Sequence, residues 1–211
     1  AAKVEASSVR CLDEAVSLEM VTAIDEARAA GESLGGWFNV SVTGLVPGIG
    51  GYAQASDRLS GALAGAVCSI PAIKGVQFGL GFLAGGLPGS QVHDAIVNPE
   101  GSGGKGILRR ASNNAGGLEG GMTTGEPLLI SAVMKPIPTL TKPLQTIDLL
   151  SRQITEASKE RSDICAVPAA AVVAEAEVAL VLADAYQRKF GYDTMPDILE
   201  AFKVYIERIS R

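Results

Sequence analysis

Between residues 13 and 30 (DEAVSLEMVTAIDEARAA) the apolar positions Val16, Met20, Ala23, Ile24 and Ala27 recur at helical spacing. Acids open the segment and Gly31 follows it, so the pattern predicts a helix with a glycine stop. Residues 37–45 (WFNVSVTGL) alternate instead, which predicts a strand running into the Pro47-Gly48 turn. A second helix is expected over 56–68, capped by Ser56 and built from small residues that allow close helix contact. A strand weakened by its glycines is expected over 76–82, and a mobile loop over 97–108. The apolar run 127–135 (PLLISAVMK) predicts a third strand, and segments 144–150 and 152–160 favour a hairpin over helix. The longest helical pattern is 168–189, with Pro168 in its first turn and cations before Gly191. An amphipathic helix over 196–210 ends the pattern. Strands interleaved with helices give a mixed α/β (α+β) class, read as one domain over 1–211.

Composition narrows the classes. The chain has 211 residues, 47% of them hydrophobic but only 5% aromatic, so its core must be mainly Ala, Val, Leu and Ile. A net charge of −5 with scattered cations argues against a nucleic-acid partner. No run of about eighteen apolar residues predicts a membrane span. The opening AAKVEASSVR lacks the apolar centre of a signal peptide. Cys11, Cys68 and Cys165 are far apart and odd in number, which fits neither a disulfide framework nor a zinc site and suggests a reducing cytoplasm. The chain opens on Ala1, as a piece of a longer chain would.

Familiar chemistry is largely excluded. GSGGKG is not a Walker loop, because Pro99 stands where its first glycine should and no Ser or Thr follows Lys105. No strand leads into GxGxxG, and no His, Cys and carboxylate cluster has metal spacing. His93 is the single histidine, and no nucleophile is identified beside it, so it reads as a surface or structural residue.

Three segments stand out. The stretch 113–127 (NNAGGLEGGMTTGEP) holds five glycines and the carboxylates Glu119 and Glu126, with no Lys or Arg. Glycines admit close approach and bare N–H donors, so it is either a ligand wall or a turn-rich surface loop. In KPIPTL (135–140), Lys135 ends an apolar strand, Pro136 and Pro138 stiffen the run around Ile137, and Thr139 adds a hydroxyl. That is a phosphate grip or a proline-stiffened loop. In RSDICAVPAA (161–170) an extended backbone would put Arg161 and Asp163 on one face, either to anchor an anion and move a proton or as a structural ion pair.

Read together, IPAIKGVQFGLGF (70–82), GSQVHD (89–94), the glycine stretch, MKPIPTL and RSDICAVPAA strongly resemble chorismate synthase. VTGLVPGIGGY (42–52) and DRL (57–59) match it too, so the likeness runs essentially the whole chain. The resemblance implies a β-α-β sandwich, with central helices packed between antiparallel sheets, in a homotetramer. It implies a shikimate-pathway lyase of aromatic amino acid biosynthesis that converts 5-enolpyruvylshikimate 3-phosphate to chorismate by anti-1,4-elimination of phosphate. Reduced FMN is required without net redox change, and NADPH is a candidate flavin reductant. Position by position, it implies that Lys135, Pro136, Ile137, Pro138 and Thr139 form an FMN-binding run. It also implies that Gly120, Pro71, Ala72 and Arg161 contact FMN, and that Asp163 assists proton transfer around the flavin N5. Where Pro71 stands, the family often has Asn or Gln. The family also carries an N-terminal segment with a Ser-His-Gly motif, a second catalytic histidine and an arginine-rich run that binds substrate and FMN. None of these is in the 211 residues, so no turnover is expected of this chain alone. The alternative reading is a non-catalytic fragment or assembly module that binds no FMN.

Overall fold

The computed structural model describes residues 2–99 and 106–211. Lys105, the lysine of GSGGKG, lies outside the described residues, as does most of the glycine-rich centre of the 97–108 segment.

In chain order the helices are α1 (Ala2–Ala6), α2 (Glu14–Ala30), α3 (Leu59–Ser69), α4 (Gly89–Val92), α5 (Val167–Phe190) and α6 (Met195–Ile209). The strands are β1 (Gly36–Val42), β2 (Ile73–Phe78), β3 (Ile96–Val97), β4 (Arg109–Arg110), β5 (Leu118–Glu119), β6 (Met122–Thr123), β7 (Leu128–Met134), β8 (Gln145–Ile147) and β9 (Ile154–Glu156). The mixed α/β class is as expected, and helices α2, α5 and α6 fall within a residue of their predicted bounds. Asp13 caps α2 by accepting from the Val16 N–H at 3.0 Å, and Gly31 closes it in the left-handed conformation. Three boundaries differ. Helix α3 starts at Leu59, because Ser56 lies in a 3₁₀ turn and Arg58 takes the cap position without a side-chain bond. Strand β1 ends at Val42, two residues before Gly44 at φ 81°. Strand β2 is shifted to 73–78 because Gly79 and Gly81, both at positive φ, turn the chain where the strand was expected to continue.

The core forms around β7, which lies between β1 and β2 in an antiparallel sheet. In β7, Leu128, Ile130, Ala132 and Met134 are buried, and they face inward with Phe38 and Val40 of β1. Helices α3 and α5 cover that face through Leu63, Val67, Ala174 and Val178, all at most 1% exposed. The Ala- and Val-rich surface of α5 packs closely here because its side chains are short. The other sheet face carries Trp37, 62% exposed, with Asn39 and Ser41. Val172, Val173 and Leu180 on the far side of α5 are also exposed. The described residues thus supply a sheet layer and a helix layer. The expected 144–160 hairpin is present as β8 and β9, paired Gln145↔Glu156 to Ile147↔Ile154.

Few aromatics are spent on the sheet. Tyr186 and Phe190 of α5 meet Phe202 and Tyr205 of α6, with ring centroids 5.4–6.3 Å apart. Tyr205 Oη and Lys189 Nζ then donate to the carbonyls of Pro47 and Gly48, each at 2.7 Å, and fasten the predicted turn. No helix among the described residues is long and apolar enough to cross a membrane.

Candidate functional site

The C-terminal end of β7 is a meeting point for three chain segments. Helix α3 ends just before Ile70, and Ile70 through Ile73 close a turn in which the Ile73 N–H donates to the Ile70 carbonyl at 3.2 Å. Pro71 precedes Ala72, which adopts φ 69°. Proline followed by a left-handed residue marks a type II turn, where Gly or Asn is the usual third residue. Holding alanine there costs about 1–2 kcal/mol. The strained turn presents the Ala72 carbonyl to the Lys135 N–H at 2.9 Å. A bulge between Ile73 and Gly75 follows, opposite Met134 and Val133, and re-aims the start of β2 beside this corner.

The run 135–139 leaves the sheet here. Lys135, Pro136 and Pro138 are exposed, and Ile137 and Thr139 are half-buried. Thr139 reaches the second segment: its hydroxyl donates to Ser162 Oγ at 2.9 Å, and Ser162 Oγ donates to the Thr139 carbonyl at 3.2 Å. Arg161 and Asp163 flank Ser162, both exposed. They form no salt bridge with one another, so of the two readings the structural ion pair is not seen: residues 161–163 lack the regular extended structure it required. Among the described residues Lys135, Arg161 and Asp163 enter no salt bridge. The third segment, 31–36, bonds the second and the chain just beyond the 135–139 run. The Leu34 N–H donates to the Ile164 carbonyl at 2.7 Å, and the Lys142 N–H donates to the Gly31 carbonyl at 3.2 Å.

Pro71, Ala72, the 135–139 run, Arg161 and Asp163 are therefore gathered at one corner. Gly120 is not. It sits with Gly121 in the β5–β6 hairpin turn, both at positive φ, the signature of a type I′ turn. That hairpin packs at the opposite end of β7, where Gly117 would place a Cβ 2.6 Å from the Pro127 carbonyl oxygen. Seven strand residues separate the two ends by about 20 Å. Gly120 lines a different, mainly apolar cleft of about 520 Å³, with Ile96, Leu108, Met122 and Ile209.

Most glycines of the stretch are required by packing within the chain. A Cβ on Gly116 would run into Gly79, one on Gly121 would lie 2.6 Å from the Gly51 carbonyl oxygen, and one on Gly125 would lie 2.8 Å from Pro47 Cγ. Gly116 and Gly121 are needed where backbone crosses backbone, and Gly125 where the Pro47 ring packs against the chain. Only Gly120 faces open space.

Sequence reading missed a charged network at this far end. Arg109 Nε and Nη2 donate to the two oxygens of buried Glu126 at 2.8 and 2.9 Å, and the Arg110 N–H adds a third bond at 2.9 Å. Arg110 pairs with Glu119 and donates to the Asp94 carbonyl at 3.0 Å. The buried Asp94 carboxylate accepts from Ser112 Oγ and from the Asn114 and Ala115 N–H groups. The available signal was an Arg-Arg pair followed by a carboxylate-bearing stretch with no cations of its own. His93, next to Asp94, is exposed.

Arg109's hydrogen bonds hold the Glu126 carboxyl below the usual range despite burial. Burial pushes Asp94 up, but the Ser112 hydroxyl, the two N–H groups and the Arg110 charge outweigh it and leave it lowered. A carboxyl with a depressed folded pKa adds stability that is complete above its unfolded pKa and is lost as pH falls through the folded one. Melting temperature should therefore hold at neutral pH and fall steeply below about pH 4, the ordinary carboxylate range. Glu126→Gln should melt lower at pH 7 and flatten that acid slope. Parallel melting curves for the two proteins across pH 7 to 3 would rule out the assignment.

The family profile described as chorismate synthase matches residues 1–187. The chain is 52% identical over 204 residues to chorismate synthase of Brevibacillus brevis, covering 97% of this chain and 52% of that one. It is 49% identical over 208 residues to chorismate synthase of Desulforudis audaxviator, covering 99% and 52%. A solved structure titled "Crystal Structure of Chorismate Synthase" superposes with a TM-score of 0.81 at 41% identity, covering 99% of this chain and 54% of that one. The chain thus spans about half the length of the relatives it matches. On fold, sequence and breadth of match alike, it belongs to the chorismate synthase family.

Proposed function

We propose that this chain is the part of a chorismate synthase that supplies one side of a reduced-FMN site, for conversion of 5-enolpyruvylshikimate 3-phosphate to chorismate in a homotetrameric, cytoplasmic enzyme. The supporting observation is the gathering of Lys135–Thr139, Pro71-Ala72 and Arg161–Asp163 at one corner. The reaction is a redox-neutral carbon–oxygen lyase step. The electron pair of a C–H bond shifts through an existing double bond and expels phosphate, and the proton leaves. The donor set suits FMN: two cations in no salt bridge among the described residues, a hydroxyl, and rigid proline surfaces beside them. FMN would rest against the 135–139 run, with Ala72 and Arg161 beside it. When reduced and bound, FMN supplies a transferable electron for loss of phosphate.

Within that reading, the Lys135 ammonium and the Arg161 guanidinium bind and orient anionic groups. Asp163, exposed and in no salt bridge among the described residues, would hold or pass a proton at the flavin N5. NADPH is a candidate reductant. Titrating FMN into the chain while following flavin fluorescence tests the reading. Saturable binding is expected, weakened about 10- to 100-fold by Lys135→Ala, the size of one charge-assisted hydrogen bond.

A second reading is an assembly module that binds no FMN. The exposed apolar side chains of Trp37, Val172 and Leu180 favour it. Absence of binding at high FMN would select it over the first.

A further inference from the structure

The two prolines of the 135–139 run carry no N–H, which leaves the run fewer backbone donors of its own. Its shape is set by hydrogen-bond partners from elsewhere in the chain. The Lys135 N–H is tied to Ala72, and the Thr139 carbonyl to Ser162. The carbonyl between the two prolines, that of Ile137, accepts from Ser33 Oγ at 2.5 Å. Ser33 is 9% exposed and belongs to the connection between α2 and β1, about a hundred residues away in sequence. Two residues on, Gly35 packs against the same run: a Cβ there would overlap the Met134 carbonyl and lie 2.9 Å from Pro136 Cδ. Leu34, between them, bonds Ile164 in the segment that carries Asp163.

We infer that Ser33 is a positioning residue, whose hydroxyl locks the proline-framed run in the conformation that presents Lys135 and Thr139. It does not touch the ligand and acts through the Ile137 carbonyl. Gly35 supplies the clearance that lets the run lie against the 31–36 connection, and Leu34 ties the same connection to the Asp163 segment. One short connection therefore sets the spacing between the cation arm and the acid arm. The consequence for FMN rests on the flavin-site reading above.

The test compares Ser33→Thr, which keeps the hydroxyl, with Ser33→Val, which has the same shape without it. Two measurements are made on the chain: the FMN dissociation constant, and hydrogen exchange of the Lys135 and Lys142 amides without ligand. Ser33→Val should raise both the dissociation constant and the exchange rates about tenfold, the size of a lost hydrogen bond to a buried carbonyl. Ser33→Thr should stay near the native values, and amides in α3 and α5 should exchange as before in both. If Thr and Val behave alike, whether both native-like or both impaired, the hydroxyl is not the lock and the inference fails. If the unsubstituted chain binds no FMN but Lys142 exchange still separates Thr from Val, the flavin reading falls and the positioning role stands.

Discussion

Gly116→Ala is expected to destabilise the chain by about 3–5 kcal/mol, whereas Gly120→Ala, four residues away, should cost about 1–2 kcal/mol. Both glycines adopt left-handed conformations, at φ 66° and 59°, so alanine pays the same backbone penalty at each. The difference is what the new methyl group meets. At Gly120 there is nothing within 4 Å. At Gly116 the methyl group would overlap the Gly79 backbone and lie 3.0 Å from the Leu129 carbonyl oxygen. Those neighbours are themselves tied down: the Gly79 N–H donates to Leu129 at 3.1 Å, and the Leu129 N–H donates to Gly116 at 3.0 Å. Relief would require opening the end of the central sheet. Urea unfolding followed by circular dichroism reads both variants. Equal losses would show that backbone conformation alone, and not the crossing of two chains, requires glycine at 116.

Asp163→Asn in the complete enzyme is expected to lower turnover about 100-fold or more while leaving FMN affinity within about twofold. The structure separates the two effects. Asp163 is exposed and in no salt bridge among the described residues, so its charge does not hold the corner together there. The neighbouring Ser162 does that through Thr139. An amide keeps the shape and some hydrogen bonding but cannot accept a proton. Stopped-flow turnover together with flavin titration measures both quantities. Weakened FMN binding with normal turnover would transfer Asp163 from proton handling to cofactor binding.

What was legible in the sequence follows the range of the interactions. The bounds of α2 and of the small-residue run of α5 were read nearly to the residue, because local start and stop signals mark them, although of the α2 stripe only Ala27 is buried. The β8–β9 hairpin was also found, since it closes on itself within a dozen residues. The two-residue strands β3 to β6 carry no usable period. Strand β2 was misplaced because Gly79 and Gly81 sit in an apolar run and act through positive φ, which hydrophobicity does not report. The corner was recognised from motifs. Its partition from Gly120 was hidden, because it depends on the direction of β7 and not on spacing along the chain. Ser33 was invisible for the same reason: a serine in a glycine-rich connection gains meaning only from the carbonyl it meets.

Because the middle strand of the main sheet comes last in sequence, synthesis has a built-in delay. A ribosome that has released β1 and β2 but not residues 128–134 holds two sticky ribbons with no common neighbour, and the cation arm beyond them has no anchor. Closure of this sheet waits for the third ribbon to slot in between, so β1 and β2 should gain protease resistance together with residues 128–134, not one strand at a time.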